Sequence, residues 1–116
     1  MSFDGKIGRL ATQEKTIVTG DHPAVLLSGR IDPGTGIWPG GTILTRGEGG
    51  MLTPWGGEMG LPPVGVLIDE TDAASVGAAV YLAHGTVALT ALRLAGGAAP
   101  NGQQIYALAC AGIYAV

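Results

Sequence analysis

The sequence predicts a small α+β domain, built mostly of short β-strands and loops with one or two short helices. Three observations lead to this fold class. The chain has 116 residues, which is room for a single hydrophobic core. Its 21 glycines and 7 prolines indicate a backbone with many turns. Its apolar runs are short and interrupted by polar residues, as in strands, and one segment near the C-terminus carries a helix-start signal.

The N-terminal segment, residues 1–20, mixes charged residues, glycine and scattered apolar side chains without a sustained period. Two interpretations stay open. Such a terminus is disordered unless something holds it, or it is an arm that adds a strand to the edge of a partner's sheet. β-Branched residues favour extended pairing, so the candidate strand of the arm comprises Thr16, Ile17, Val18 and Thr19. The predicted organisation is therefore a flexible arm, residues 1–20, and one domain, residues 21–116.

The first half of the domain predicts a strand, a loop and a hairpin. A turn at residues 21–23 precedes a strand at 24–27, and a structured loop rich in glycine and proline follows at 30–42. Residues 42–46 and 51–53 are expected to form a β-hairpin whose glycine-rich connection supplies positive φ angles. A second loop, residues 54–63, leads to the central strand.

The central stretch, residues 64–94, is the part around which the domain is organised. Apolar residues at 64–68 predict a strand with both faces largely covered, and the acidic residues at 69–72 predict a turn. A second strand is expected at 80–83, a turn at His84-Gly85, and a returning strand from Thr86. Residues 89–94 are expected to form a helical turn.

The C-terminal segment predicts one helix and one strand. Asn101 and Gln104 have the spacing of a capping box, which predicts a helix over about 102–109 that ends at Gly112. Residues 113–116 are apolar and extended, and a terminal strand of this kind should be paired or buried.

The charge content limits the classes of partner. The net charge is −3 and no basic cluster occurs, which argues against nucleic acid as a partner. Charged residues make up only 13% of the chain, too few to cover a monomer's surface, so part of the apolar surface is expected to meet another chain. The alternative is a monomer whose exterior is glycine, alanine, threonine and serine. No stretch predicts a signal peptide or a membrane span, so we expect use without export and no membrane partner.

The residues that could carry chemistry are scattered along the sequence. The acid/base candidates are Asp21, His22 and His84, and no nucleophile or third ligand stands beside them, so we predict no enzyme. The acidic residues at 69–72 lack the spacing of a calcium loop, and neither a metal nor a cofactor is expected. Cys110 lies among alanines and is expected to be a buried packing residue. Of Trp38 and Trp55, we expect one in the core and one at an interface.

The order of these elements resembles the head decoration, or capsid cement, proteins of tailed bacteriophages, the family of the lambda decoration protein. The matching pieces are the hairpin GTILTRGEGGMLTPW, the strands PVGVLIDE and AAVYLAHGTV, and the ending QIYALACAGIYAV. They extend from about residue 24 to the C-terminus, and they are patterns of strand and turn rather than invariant motifs.

The resemblance implies a small β-barrel-like domain of the β-tulip type that forms a homotrimer. Such proteins are made in the host cytoplasm and sit on the outer surface of the expanded capsid, at its threefold and quasi-threefold positions. There they bridge subunits of the major capsid protein and resist the pressure of packaged DNA. The resemblance assigns the capsid-binding strand to the arm, around residues 16–19.

The sequence leaves two other functions open. The first alternative is a small β-barrel module that binds a ligand or a carbohydrate, with Trp38 and Trp55 as stacking platforms. The second is an enzyme built on the acid/base candidates, which would require these groups to converge in one polar pocket.

Overall fold

The computed structural model describes residues 18–19, 23–32 and 36–116 of the chain. This part is mostly β-sheet with a single α-helix, as the sequence predicts. The strands are β1 Val18–Thr19, β2 Val25–Arg30, β3 Ile37–Trp38, β4 Ile43–Arg46, β5 Leu52–Pro54, β6 Pro63–Leu67, β7 Thr71–Asp72, β8 Ala78–Val87 and β9 Ile113–Ala115. The helix, α1, is Gly102–Cys110, and two 3₁₀ turns occupy Glu48–Gly50 and Leu89–Ala91.

The ten-residue strand β8 is the centre of the main sheet, because other strands pair with both of its edges. At Leu82 it has β2 on one side and β6 on the other. At Val87 it lies between β1 and β9. The pairing with β9 is parallel, and the other three are antiparallel. Four separate segments of the chain are thus held by one strand.

The prediction of a turn at His84-Gly85 is wrong, since both residues lie inside β8. Gly85 has φ of +142°, a backbone conformation that side-chain-bearing residues rarely adopt, and its N–H donates to the carbonyl of Gly112 at 3.0 Å. Thr19 pairs with Thr86 and Val25 pairs with His84, so Gly85 lies between the residues of β8 that pair with β1 and those that pair with β2. The unusual backbone conformation is confined to Gly85, and β8 continues as a strand on both sides of it.

The hairpin and the two loops are found at the predicted places, with additional pairing. β4 and β5 form the antiparallel hairpin, and the glycines of its connection, Gly49 and Gly50, have φ of 76° and 77°. β6 lies on the other side of β4 and joins the hairpin to β8. Within the predicted loop 30–42 and the predicted acidic turn, β3 and β7 pair as a separate two-stranded sheet.

Consecutive residues of the inner strands face opposite sides of the main sheet, and each side has its own hydrophobic cluster. The helix-side cluster comprises Ile43, Trp55, Val66, Ile68, Leu82, Val87, Leu92, Leu108 and Ile113. The far-side cluster comprises Ile31, Trp38, Leu44, Leu52, Leu67, Ala73, Ala79 and Tyr81. The prediction that the strand at 64–68 is covered on both faces is therefore confirmed for β6.

Close packing on the far side requires a glycine in β6. A Cβ on Gly65 would contact the ring of Tyr81 and lie 2.8 Å from the carbonyl oxygen of Leu82. The absence of a side chain lets the Tyr81 ring pack directly against the backbone of β6, and this close approach fills the far-side cluster.

The C-terminal prediction is confirmed for the helix and the strand. The Asn101 side chain accepts from the Gln104 N–H at 3.0 Å, and the Gln104 side chain accepts from the Asn101 N–H at 2.8 Å. Gly112, with φ of +92°, follows the helix, and β9 then pairs with the end of β8. The terminal strand is therefore paired, as expected, and its partner is β8.

The prediction that Cys110 is buried is wrong, because its side chain is exposed at the last turn of α1. Leu108, two residues earlier, is the fully buried residue of the helix and packs in the helix-side cluster. At 100° per residue, a position two residues from the buried one points away from the core. The small apolar neighbours of Cys110 gave no indication of this direction.

Candidate interaction surfaces

The predicted capsid-binding strand lies only partly within the described residues. Val18 and Thr19 are extended, as predicted, and pair with Val87 and Thr86 of the same chain. Thr16 and Ile17 lie outside the described residues, as does most of the arm, residues 1–20. β1 runs antiparallel to β8, with Val18 opposite Val87 near the end of that strand.

The two tryptophans are both core residues, which corrects the expectation that one of them is an exposed anchor. Trp38 is 3% exposed and packs in the far-side cluster, and Trp55 is fully buried in the helix-side cluster. The Trp55 indole N–H donates to the carbonyl of Leu61. Each indole fills one side of the sheet, so neither offers a ring face for stacking against a sugar.

The titratable side chains of the described residues do not converge. His84 is exposed on β8, and its ring makes an edge-to-face contact with Tyr114 at a centroid distance of 6.4 Å. Asp21 and His22 lie outside the described residues. Within the described ranges, no group of three or more His, Cys, Asp or Glu side chains is placed to hold a metal ion.

The acidic segment after β6 is an exposed turn, as predicted, and it continues into β7. The Asp72 carboxylate accepts from the N–H of Ala74 at 3.1 Å and from the hydroxyl of Ser75 at 3.0 Å. Its charge therefore stabilises the following turn. The carboxylates of Asp69 and Glu70 are exposed and have no hydrogen-bond partner among the described residues.

A cavity of about 530 Å³ lies between the β3 loop, the end of β5 and the turn at Gly96-Gly97. Its walls are mostly apolar; they include Ile37, Trp38, Pro39, Pro54 and Leu94. Ile37 at its mouth is 61% exposed. None of the described residues that line this cavity is charged, so they offer little to orient a polar ligand.

A second, shallower cavity of about 310 Å³ lies at the end of the β2–β8 pair that is remote from β1. The surface around it is here called the sheet-end patch. It consists of Arg30, Asp69, Glu70, Val76, Ala78 and Val80. The two valines are 43% and 49% exposed. The patch combines an apolar centre with charges of both signs.

No protein-family model matches this sequence, and no curated protein matches it. Within the described ranges, no helix is long and apolar enough to cross a membrane.

Exposed apolar side chains occur on several other parts of the described surface. Tyr106 and Val116 are each 70% exposed, and the others include Val25, Leu27, Met59, Leu61, Leu89 and Tyr114. This distribution agrees with the low charge content of the sequence. The sequence did not indicate which of these residues share a surface, because the sheet-end patch joins residues from β2, the acidic turn and β8.

Proposed function

We propose that this chain is a structural virion protein, a trimeric decoration or cement protein of a tailed-phage capsid. It binds the outside of the expanded shell at threefold and quasi-threefold positions and stabilises it against the pressure of packaged DNA. Its partners are two further copies of itself and the major capsid protein. The proposal assigns it no catalytic residue and no cofactor.

The observation that carries this proposal is a sparsely charged chain with a well-packed core and an apolar exterior. The order of the elements supports the resemblance to head decoration proteins: a hairpin, a covered strand, a long strand, a capped helix and a terminal strand follow one another. Eleven large apolar side chains of the described residues are exposed. A surface of this kind suits lasting contact with neighbouring subunits more than turnover of a small substrate.

The finer fold assignment, a β-barrel-like domain, belongs to the same proposal. The pairings run from β2 through β8, β6 and β4 to β5. Ile31, which directly follows β2, forms a bridge with Leu52 of β5, and the Asp32 N–H donates to the Leu52 carbonyl at 2.9 Å. These contacts support a sheet that curls around the far-side cluster and returns to its first strand.

The cementing mechanism that follows is multivalent binding without chemistry. Each trimer would present three arms and three domain surfaces to the shell. Once one contact has formed, the next is intramolecular, so several weak contacts act together as a strong one. β1 roots each arm in the central sheet, so a strand formed by the arm with a capsid subunit would be connected directly to β8.

The experiment that tests the proposal removes the arm and retains β1. Expanded, decoration-free shells of the cognate major capsid protein are mixed with the full chain or with a variant lacking residues 1–17, and the bound fraction is measured by co-sedimentation. The full chain is expected to saturate the threefold sites. The truncated chain should keep its thermal unfolding temperature and bind at least about 100-fold more weakly, because an arm contact is lost from a multivalent complex.

A single substitution sharpens this test. Ile17→Pro removes a backbone donor from the proposed arm strand, while Ile17→Val keeps both the donor and the β-branched shape. The proline variant should lose shell binding and the valine variant should retain it. Failure of the full chain to bind shells would refute the proposed function, and equal binding by the truncated chain would remove the arm from the mechanism.

A further inference from the structure

One face of the main sheet is covered along only part of its length. Leu26 and Leu82 are register partners in β2 and β8 and pack towards the helix-side cluster. Further along the same strands, Ser28 pairs with Val80 and Arg30 with Ala78, which places all four on that same face. These four residues are exposed. The nine residues of α1 span only about 13 Å, and the helix packs against β9, which pairs with the Val87 end of β8.

Arg30, the basic side chain at this uncovered end, differs from the other arginines of the described residues in having no partner among them. Arg46 donates to the Gly50 carbonyl and the Tyr81 hydroxyl, and Arg93 donates to the carbonyls of Thr90 and Leu92. The guanidinium of Arg30 has no hydrogen bond or ion pair among the described residues.

Two acidic side chains of the patch also lack a partner among the described residues. Asp72 is used by its own turn, whereas Asp69 and Glu70 have no such partner among the described residues. Unpaired charges of opposite sign therefore border an apolar centre formed by Val76 and Val80.

We propose that the sheet-end patch is the contact between copies of this chain. Arg30 of one copy faces Asp69 and Glu70 of the next, and the two valines are enclosed between the copies. A second copy is the occupant that the charges favour, because the patch carries both halves of the ion pair and is complementary to itself. The number of copies rests on the proposed function: in a ring of three, each Arg30 meets the acidic pair of the following copy, which gives three equivalent contacts.

Charge reversal tests this contact on the full chain. Association is measured by sedimentation equilibrium for Arg30→Glu, for Glu70→Arg and for the double variant. Each single variant should associate at least about tenfold more weakly, because like charges then face each other. The double variant restores opposite signs and should associate within about threefold of the unchanged chain. Glu48→Arg, an exposed reversal in the hairpin connection, is the matched control and should have no effect.

Mixing the two single variants distinguishes a ring from a pair. In a twofold pair of unlike variants, both contacts join opposite charges, so the mixture should associate like the unchanged chain. In a ring of three, an odd number of copies leaves one contact with like charges, so the mixture should recover only in part. Val80→Asp should also disrupt association, whereas Ile37→Asp, at an exposed apolar residue outside the patch, should not.

Thermal unfolding of every variant separates loss of contact from loss of fold. A monomeric unchanged chain at all concentrations, single reversals that associate normally, or a folded double variant that stays dissociated would each overturn the proposed contact. Shell binding is measured in parallel. If the charge-reversal variants associate normally and the chain binds shells, this contact is rejected and the decoration function is retained. If association depends on these charges but the chain does not bind shells, the contact is retained and the decoration function is rejected.

Discussion

Thr45 and Thr86 are buried threonines in the main sheet that differ by one hydrogen bond. Thr45 is 2% exposed, and its hydroxyl donates to the Pro62 carbonyl at 2.7 Å. Thr86 is 4% exposed, and its hydroxyl has no partner among the described residues. Burial of a hydroxyl without a hydrogen bond is unfavourable, so the same residue type has opposite effects at these two positions.

Substitution by valine should reveal this difference, because valine has nearly the shape of threonine without the hydroxyl. Thr86→Val is expected to raise the free energy of unfolding by about 1 kcal/mol, because an unsatisfied polar atom is removed. Thr45→Val is expected to lower it by about 1 kcal/mol, because a buried hydrogen bond is lost. Urea denaturation measures both, and a destabilised Thr86→Val variant would contradict the assignment of an unsatisfied hydroxyl.

At the scale of the element, α1 depends on its N-terminal cap. It is a nine-residue helix, too short to be stable by itself in water, and it carries no acidic residue in its first turn. The reciprocal hydrogen bonds between Asn101 and Gln104 satisfy two of the free backbone donors at its start. The Gln104 side chain also donates to the Gly57 carbonyl at 3.3 Å, which connects the cap to the loop after β5.

Loss of the cap should be measurable in the stability of the whole domain. Asn101→Ala is expected to lower the free energy of unfolding by about 1 kcal/mol, because one N–H at the helix start loses its acceptor. Gln103→Ala, at an exposed position of the same turn whose side chain makes no hydrogen bond among the described residues, is the control and should change it by less than about 0.5 kcal/mol. Equal effects of the two substitutions would contradict the role of the cap.

The elements that the sequence predicted well are those specified by neighbouring residues. The capping box fixed the start of α1, and the glycines after Arg46 indicated the hairpin, because both signals act within a few residues. The errors concern pairing between distant segments. A His-Gly dipeptide favours a turn locally, but in β8 it is held extended by partners from both ends of the chain.

The side-chain positions show the same division. The positions of Trp38 and Trp55 on either side of the hairpin did not indicate that they pack on opposite sides of the main sheet. The position of Trp38 depends on the pairing of β3 with β7, which joins segments distant in sequence. The sheet-end patch was likewise hidden, since Arg30 and Val80 are 50 positions apart and meet only through the β2–β8 register.

At the scale of the whole molecule, the two hydrophobic clusters share their strands. β4, β6 and β8 each contribute side chains to both clusters, so neither cluster can lose its structure without disturbing the other. The domain should therefore unfold in one cooperative step.

The two tryptophans allow this to be tested directly, because each reports on one cluster. Single-tryptophan variants, Trp38→Phe and Trp55→Phe, should each show one fluorescence transition in urea that coincides with the loss of far-ultraviolet circular dichroism of the same variant. Each substitution lowers stability somewhat, so the comparison is made within a variant. A fluorescence transition displaced from the circular dichroism transition would indicate that the two sides of the sheet unfold separately.

The register at Val87 gives the chain a short mechanical path between its two ends. Val18 and Ala115 flank this residue on opposite edges of β8, each about 4.8 Å away. A pulling force applied to the N-terminal segment is therefore transmitted across one strand to the C-terminal strand, without crossing the hairpin or the helix. Such a force would strain the backbone hydrogen bonds at this corner and the edge of the helix-side cluster, to which Val87 belongs, before it reached the far-side cluster.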